Sequence, residues 1–156
     1  MKFQYSVLAA AILTAMMSTA SFAMGSYPGS KDEIITNDVV IDADEPLVYG
    51  GSTPSYALYG IFPQGHTLNF SGSNIKINVE AHNKKANVNG ETFDLDAIGV
   101  DALKGENGGS NLTLGSENSI VELTVDSDHF VTGIRAGQNS KVTLKGQSFT
   151  LNATSY

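Results

Sequence analysis

Short runs of alternating apolar and polar residues recur along the chain. Examples are Ile-Lys-Ile-Asn-Val at 75–79, Leu-Thr-Leu at 112–114 and Val-Glu-Leu-Thr-Val at 121–125. Successive side chains of a β-strand point to opposite faces of its sheet, so a period of two residues indicates half-buried strands. Apolar residues do not recur at helical spacing over a dozen positions. The pattern therefore predicts an all-β fold.

Three segments repeat one order of strands. Residues 56–79, 97–125 and 130–153 each contain a strand with an internal glycine, a short apolar-x-apolar strand and a longer alternating strand. The internal glycines Gly60, Gly99 and Gly133 lie 39 and 34 residues apart, whereas the second and third strands are separated by a steadier 7, 9 and 7 residues. A period of about 20–50 residues is typical of solenoids and propellers. Constant strand spacing with variable loops favours a solenoid of stacked units.

Two other all-β architectures remain open at this point. A β-propeller is built from four strands per blade and carries its own signatures. A β-sandwich shows hairpins at a spacing of about 8–12 residues but does not require this internal repetition.

One parity of each strand is expected to form the core. The first strands then turn inward Ala57, Tyr59, Ile61, Ile98, Val100, Ala102, Thr132, Ile134 and Ala136. The second strands turn inward Leu68, Phe70, Leu112, Leu114, Val142 and Leu144. The third strands turn inward Ile75, Ile77, Val79, Val121, Leu123, Val125, Phe149, Leu151 and Ala153, and they leave Lys76, Asn78, Glu122, Thr124, Thr150 and Asn152 in water.

The repeated glycines are expected to serve the backbone. Glycines 60, 99 and 133 would permit tight packing or an unusual dihedral beside the first strand. Glycines 72, 115 and 146 stand between the second and third strands, where a positive φ is expected. No glycine-rich loop leads into a predicted helix, so a nucleotide cradle is disfavoured.

Two stretches fall outside the repeat. Residues 33–43 alternate like a strand and are predicted to cap or open the solenoid, because a terminal unit must cover its exposed edges. Residues 81–95 contain Asn89-Gly90 between Val88 and Thr92-Phe93, which predicts a type I′ hairpin that projects from the body.

The first 23 residues are predicted to be a cleaved signal peptide. Lys2 supplies the positive start, and residues 7–17 form an apolar or small run of 11 residues, too short for an anchored membrane helix. Small side chains at Ser21 and Ala23 place the cleavage after Ala23. The alternative is a buried N-terminal helix. Residues 24–55 are then expected to hold the cap and entry strands, and residues 56–156 the repeats.

Composition excludes several classes of partner. The chain has no cysteine, so disulfides and cysteine-based metal sites are excluded although export is predicted. Its formal net charge of −7, with scattered lysines, argues against nucleic acid and against attachment to anionic lipid. We interpret the acidic excess as a contribution to solubility.

The strings Tyr-Gly-Ile at 59–61, Ala-Ile-Gly-Val at 97–100 and Thr-Gly-Ile-Arg-Ala at 132–136 resemble passengers of autotransporter adhesins of Gram-negative bacteria. The apolar-x-apolar strands that follow them, the leader and the cysteine-free Gly/Asn/Thr-rich chain are similar too. The resemblance covers residues 56–156 and the leader. It implies a right-handed parallel β-helix and a C-terminal outer-membrane β-barrel in the full-length protein. The chain is therefore expected to be an N-terminal piece of a longer protein.

Three carboxylate clusters are the candidates for catalysis, which needs two carboxylates that converge across a groove. They are Asp42/Asp44/Glu45, Asp94/Asp96/Asp101 and Asp126/Asp128/His129. All lie in turns or beside strand ends, where aspartates commonly bond their own backbone. A weak calcium site near Asp126 and Asp128 is a second reading of the last cluster. No catalytic, cofactor or metal residue is assigned from these patterns.

Histidines and aromatic residues give weaker signals. His66, His82 and His129 are far apart in sequence and show neither a Ser–His–Asp set nor zinc-ligand spacing. The aromatic residues Tyr27, Tyr49, Phe62 and Phe93 fall in loops or on the outward parity, where exposed rings often mark contact sites. Equally, such rings cover the ends of a core.

The sequence therefore predicts an exported, cell-surface adhesive or binding passenger that reaches the surface through the periplasm and outer membrane. We expect it to be non-catalytic in this segment and to bind a protein or glycan of a host or sister cell. The alternative is a passenger of a polysaccharide-active or protease-type enzyme whose catalytic part lies outside this chain.

Overall fold

The computed structural model describes residues 22–46, 48–49, 53–54, 56–103 and 108–156, so most of the predicted leader lies outside the described residues. Every regular element among the described residues is a β-strand. The strands are β1 Phe22–Met24, β2 Tyr27–Pro28, β3 Glu33–Ile35, β4 Val39–Ala43, β5 Val48–Tyr49, β6 Thr53–Pro54, β7 Ala57–Phe62, β8 Thr67–Phe70, β9 Asn74–Glu80, β10 Lys85–Val88, β11 Glu91–Asp94, β12 Asp96–Ala102, β13 Asn111–Leu114, β14 Ile120–Ser127, β15 Val131–Ala136, β16 Lys141–Leu144 and β17 Ser148–Ser155.

Three parallel sheets organise these strands. Sheet 1 has the order β15-β12-β7-β2, sheet 2 the order β16-β13-β8-β3, and sheet 3 the order β1-β4-β9-β14-β17. Every strand pair within these sheets is parallel. The antiparallel ladders expected of a sandwich built from hairpins are therefore not the basis of this fold.

The chain visits sheets 1, 2 and 3 in the same order in four successive units. Unit 1 is β2-β3-β4, unit 2 is β7-β8-β9, unit 3 is β12-β13-β14 and unit 4 is β15-β16-β17. Units 2 to 4 are the three repeats predicted from the sequence, and Val100 pairs with both Ile61 and Ile134 as expected. The strand-like stretch at 33–43 supplies β3 and β4, which pair on the edge of unit 2.

The predicted hairpin lies between units 2 and 3. Strands β10 and β11 pair antiparallel around Asn89 and Gly90, whose φ angles of 54° and 87° fit a type I′ turn. The hairpin does not project freely, because Ala86 and Val88 are buried and belong to the hydrophobic core cluster.

Sheets 2 and 3 follow the predicted alternation. The inward residues of β8, β9, β13 and β14 are buried almost completely and belong to the core cluster. Unit 4 departs from the prediction: Leu144, Leu151 and Ala153 are exposed, whereas Val142 and Phe149 are partly buried and pack against the cluster. The outer positions Lys76, Glu122, Thr150 and Asn152 are exposed as predicted, and Asn78 and Thr124 are half-buried.

Sheet 1 does not follow the predicted alternation. The prediction is correct for Ile61, Val100 and Ile134, which lie in or against the core cluster. It is wrong for Tyr59 and Thr132, which are half-buried and lie outside the cluster; Ile98 also lies outside the cluster, although it is buried. Their inward places are taken by the residues one position earlier, Leu58, Ala97 and Val131. Residues three positions apart on a regular strand face opposite sides of the sheet. Leu58 and Ile61 can therefore both face inward only if the alternation breaks between them.

The break occurs at the internal glycine of each strand. A Cβ built on Gly60 would lie 2.7 Å from Ile77 Cγ2 and 2.4 Å from the carbonyl oxygen of Gly99, so this position also faces inward. A Cβ built on Gly99 would likewise lie 2.6 Å from the carbonyl oxygen of Gly133. The tight packing predicted for these glycines is therefore confirmed. Because the glycine and the next residue both face inward, side-chain parity reverses there.

The corner glycines differ from the prediction. Gly115 has a φ of 92°, as expected. No positive φ occurs at Gly72 or Gly146. Gly72 instead lies against the backbone of Asn37, whose carbonyl oxygen would be 2.1 Å from an added Cβ, and Gly146 approaches the carbonyl oxygen of Ser119. Close backbone contact, rather than a left-handed conformation, explains those two glycines.

A polar pair covers the N-terminal end of the core. The Tyr27 hydroxyl donates a hydrogen bond to Glu33 Oε2, and its ring meets Phe70 edge-on at 5.1 Å. Burial, together with the Glu33 carboxylate, raises the pKa of Tyr27 to about 12.

Before this pair, β1 aligns Phe22 with Val39 and Met24 with Ile41. Cleavage after Ala23 would leave Met24 as the only β1 residue.

No helix in the described part of the chain is long and apolar enough to cross a membrane.

Candidate functional site: the corner between sheets 3 and 1

The predicted cluster Asp126/Asp128/His129 lies where the chain leaves sheet 3 and enters sheet 1. Asp126 Oδ1 accepts a hydrogen bond from the backbone N–H of Ala81 at 3.1 Å. Asp128 Oδ2 accepts one from the backbone N–H of Asn83 at 2.5 Å. These carboxylates therefore join unit 3 to the turn that follows unit 2.

Asp42, Asp94 and Asp101, from the other two acidic clusters, each contact a different partner. Asp42 Oδ1 accepts a hydrogen bond from the Asn78 side chain at 2.6 Å on the outer face of sheet 3. Asp94 forms an ion pair with Lys85 at 2.9 Å across the hairpin. Asp101 accepts two hydrogen bonds from Arg135, at 2.8 and 2.6 Å, on the outer face of sheet 1. Donation of these hydrogen bonds to Asp101 also raises the pKa of Arg135.

All three histidines of the chain lie beside an aspartate of another unit or turn. His82 Nδ1 lies 2.7 Å from Asp128 Oδ1, and His129 Nδ1 lies 2.6 Å from Asp96 Oδ1. His66 Nδ1 is 3.6 Å from Asp32 Oδ1. No sequence motif pairs these residues, because the partners are 33 or more residues apart. Each pair orients an imidazole ring and links successive layers.

Backbone hydrogen bonding stabilises the ionised form of Asp128. The N–H of Asn83, with a smaller contribution from His82, lowers the pKa of this carboxyl below its usual value. An ionised aspartate at this position accepts hydrogen bonds and does not serve as a proton donor at neutral pH. Within the described ranges, no group of three or more His, Cys, Asp or Glu side chains is arranged to hold a metal ion.

The aromatic residues singled out from the sequence are less exposed than expected. Tyr27 and Phe93 are half-buried, and Phe62 is buried; the side chain of Tyr49 lies outside the described residues. Among the residues that the structure describes, the exposed rings are instead Tyr56, Phe130 and Tyr156, with 47, 65 and 66% of their surface accessible.

These exposed rings stand at the corner between sheets 3 and 1, and each forms a pair with a second ring. Tyr56 meets Phe93 edge-on with centroids 5.0 Å apart. The other two pairs combine an imidazole with an aromatic ring, at 4.3 Å for His129–Phe130 and 4.1 Å for His82–Tyr156. We call this set the aromatic corner: Tyr56, His82, Phe93, His129, Phe130 and Tyr156, with the carboxylates of Asp96 and Asp128.

Hydrogen bonds hold the aromatic corner together across the units. The backbone N–H of Asp96 donates to the carbonyl oxygen of Tyr56 at 2.8 Å, and the N–H of Ala97 donates to that of Phe130 at 2.8 Å. The buried Ser127 hydroxyl donates to the carbonyl oxygen of Leu95 at 2.6 Å and accepts from the N–H of His129 at 2.8 Å. The corner is therefore a fixed feature of the stacked backbone.

One sequence signal for this corner exists. Tyr56 and Phe130 each directly precede the first strand of a unit, so stacking of the units brings them to one edge. The partners His82, Phe93 and Tyr156 come from a turn, the hairpin and the chain's last residue, and nothing in the repeat aligns them.

The chain belongs to the all-β class and contains three parallel sheets. No family of known proteins matches its sequence, and no curated protein and no solved structure matches the chain.

Proposed function

We propose that the chain is an exported, cell-surface passenger with a right-handed parallel β-helix, and that it acts in adhesion or binding without catalysing a reaction in this segment. The observation that carries the proposal is the constant order of the three parallel sheets through four units. A return to each sheet one strand further along is typical of a solenoid and supports that architecture here. Parallel crossovers in one sheet are right-handed in about 98% of cases, which supports the handedness.

Long, regular faces suit binding better than chemistry. Each sheet repeats one set of outer positions in every unit, for example Asn78, Thr124 and Asn152 in neighbouring strands of sheet 3. Such ladders offer many similar contacts along one direction, as repeat proteins use to bind extended partners. Asp126 and Asp128 instead accept hydrogen bonds from backbone N–H groups, and Asp94 is paired with Lys85.

The leader and the resemblance to autotransporter adhesins support the location. An order of positive charge, apolar run and small residues directs export. We propose transport through the periplasm and outer membrane to the cell surface, with a C-terminal β-barrel of the full-length protein as the anchor. The expected ligand is a protein or glycan on a host or sister cell.

Surface display tests this proposal. The chain, with its leader, is fused to an outer-membrane barrel in a Gram-negative host that does not adhere. We expect a mature N-terminus at Met24, digestion of the passenger by protease added to intact cells, and adhesion to host or sister cells above that of the barrel alone. The control Leu13→Arg interrupts the apolar run and should abolish display.

Two results would overturn the proposal. One is a displayed, folded passenger that adds no adhesion to any host or sister cell. The other is an uncleaved chain that remains in the cytoplasm although the barrel alone is exported.

A further inference from the structure

Resting on the proposed binding function, we infer that the aromatic corner binds a neutral oligosaccharide chain. Its exposed rings, Tyr56, Phe130 and Tyr156, are three of the eight large hydrophobic side chains found exposed among the described residues. Exposed rings gathered at one place commonly mark contact sites, and aromatic residues contribute much of the energy of such contacts. The gathering of rings needs an explanation that core packing does not supply.

The arrangement of the rings favours an extended ligand. Tyr56 precedes the first strand of unit 2 and Phe130 that of unit 4, with Asp96 at the start of unit 3 between them. Neighbouring parallel strands are about 4.8 Å apart, so groups recur along the corner at a spacing close to the length of one sugar ring. A broad protein partner buries about 800 Å² on each side and needs a wider face than a single corner.

The chemistry of the corner matches a sugar chain. The negative face of an aromatic ring attracts the weakly positive C–H groups on the apolar face of a pyranose. The carboxylates of Asp96 and Asp128 stand beside the rings, and an ionised carboxylate accepts several hydrogen bonds, here from sugar hydroxyls. The imidazole Nδ1 atoms contact these same carboxylates, which holds the side chains in place before a ligand arrives.

Charge at the corner selects a neutral chain over an acidic one. Carboxylates outnumber ammonium groups around it: Asp94, Asp96, Asp126 and Asp128 against Lys84 and Lys85. A uronic or sialic acid would bring a like charge to this region and would be disfavoured. A neutral hexose chain meets no such repulsion.

Titration of the purified chain with defined oligosaccharides tests the inference. The probes are cellohexaose and maltohexaose as neutral chains and a hyaluronan hexasaccharide as an acidic chain, followed by NMR chemical-shift changes. We expect saturable shifts at the aromatic corner with at least one neutral probe, and affinity at least about tenfold lower for the acidic probe. Phe130→Leu, which keeps an apolar side chain but removes the ring, should weaken binding about three- to tenfold.

Matched variants separate a binding effect from a folding effect. Ile34→Ala removes the most exposed large apolar side chain, on strand β3 of sheet 2, and should leave the affinity unchanged. Phe130→Tyr retains an aromatic ring and should restore most of the binding. Thermal melts of all variants should agree with the parent chain, because Phe130 is 65% exposed.

Several outcomes would overturn the inference. They are undiminished binding in Phe130→Leu combined with Tyr56→Leu, preference for the acidic probe, and no binding of either neutral probe. If displayed cells still adhere in such a case, adhesion stands and only the ligand class is wrong. If displayed cells also fail to adhere, the proposed function fails together with it.

Discussion

In strands β4, β9 and β14 of sheet 3, buried and outward residues alternate without interruption, and the buried ones pair with each other from unit to unit. Ile41, Ile77 and Leu123 are one such row. In sheet 1, the inward residues of β7 are Leu58, Gly60 and Ile61, so two successive positions face the core. The two sheets come from one repeat but place their side chains by different rules.

The difference shows how a small residue fits sheet 1 against sheet 3. Where the inward position of sheet 1 is glycine, the side chains of Ile77 and Leu123 extend into the space that a Cβ would fill. The backbone ladder of β7 and β12 passes from the Tyr59–Ile98 pair to the Ile61–Val100 pair around the glycine. The local parity reversal also turns Tyr59 and Phe62 to one outer face, where their rings are 5.4 Å apart.

The largest expected effect on stability concerns Leu58 and Tyr59, two adjacent residues that face opposite sides of sheet 1. Leu58→Ala should destabilise the chain by about 2–5 kcal/mol, because it removes a fully buried side chain from the core. Tyr59→Ala should cost only about 1 kcal/mol, chiefly the ring contact with Phe62. Urea unfolding of both variants measures the difference. A larger loss for Tyr59→Ala would restore simple alternation in sheet 1.

A smaller loss of stability is expected when one of the internal glycines of sheet 1 is replaced by alanine. In Gly99→Ala the new Cβ would lie 2.6 Å from the Gly133 carbonyl oxygen and 2.7 Å from Leu123 Cδ1, so backbone and core must shift. Overpacking of this kind typically costs about 1–3 kcal/mol. Gly25→Ala is the matched control, since nothing lies within 4 Å of its added Cβ. Equal denaturation midpoints for the two variants would contradict the inward orientation of Gly99.

The smallest expected effect is a pH dependence at the corner where sheet 3 leads into sheet 1. The folded-state pKa of Asp128 is lowered, chiefly by the Asn83 N–H. Its stabilising contribution is therefore present above the unfolded pKa of about 3.9 and is lost as pH falls through the lower folded value. Melting temperatures of the parent chain and Asp128→Asn should differ slightly at pH 7 and converge in strong acid. A gap that widens on acidification would reverse the assigned direction of the shift.

Sheets 2 and 3 and the hairpin were accessible from the sequence because each depends on local rules. Alternation assigns Leu112 and Leu123 to the core, and Asn89-Gly90 specifies its turn through two positive φ angles. Sheet 1 was not accessible by the same rule, since the parity reversal at Gly60 depends on side chains from β9. The expectation of a positive φ at the corner glycines was wrong for a similar reason. Gly72 lies in close contact with the backbone of Asn37, which is distant in sequence.

The aromatic corner was hidden from the sequence because its members meet only after the units stack. Loop position suggested exposure for Phe62, but the fold buries it. Phe130 was assigned to a repeat strand, whereas it stands just before β15 with its ring outside the core. The histidine–aspartate contacts join residues that are 33 or more positions apart, so no local motif predicts them.

The hairpin β10–β11 also has a consequence for how such a chain tolerates added sequence. It interrupts the chain between units 2 and 3, yet β9 and β14 keep seven consecutive paired positions from Asn74–Ile120 to Glu80–Asp126. The entropy of closing a flexible loop grows only with the logarithm of its length, by about 0.6 kcal/mol for each doubling. A peptide inserted between Asn89 and Gly90 would therefore leave the stacking register intact. A foreign epitope, or an evolving accessory segment, can therefore be inserted at that turn while the rest of the fold stays unchanged.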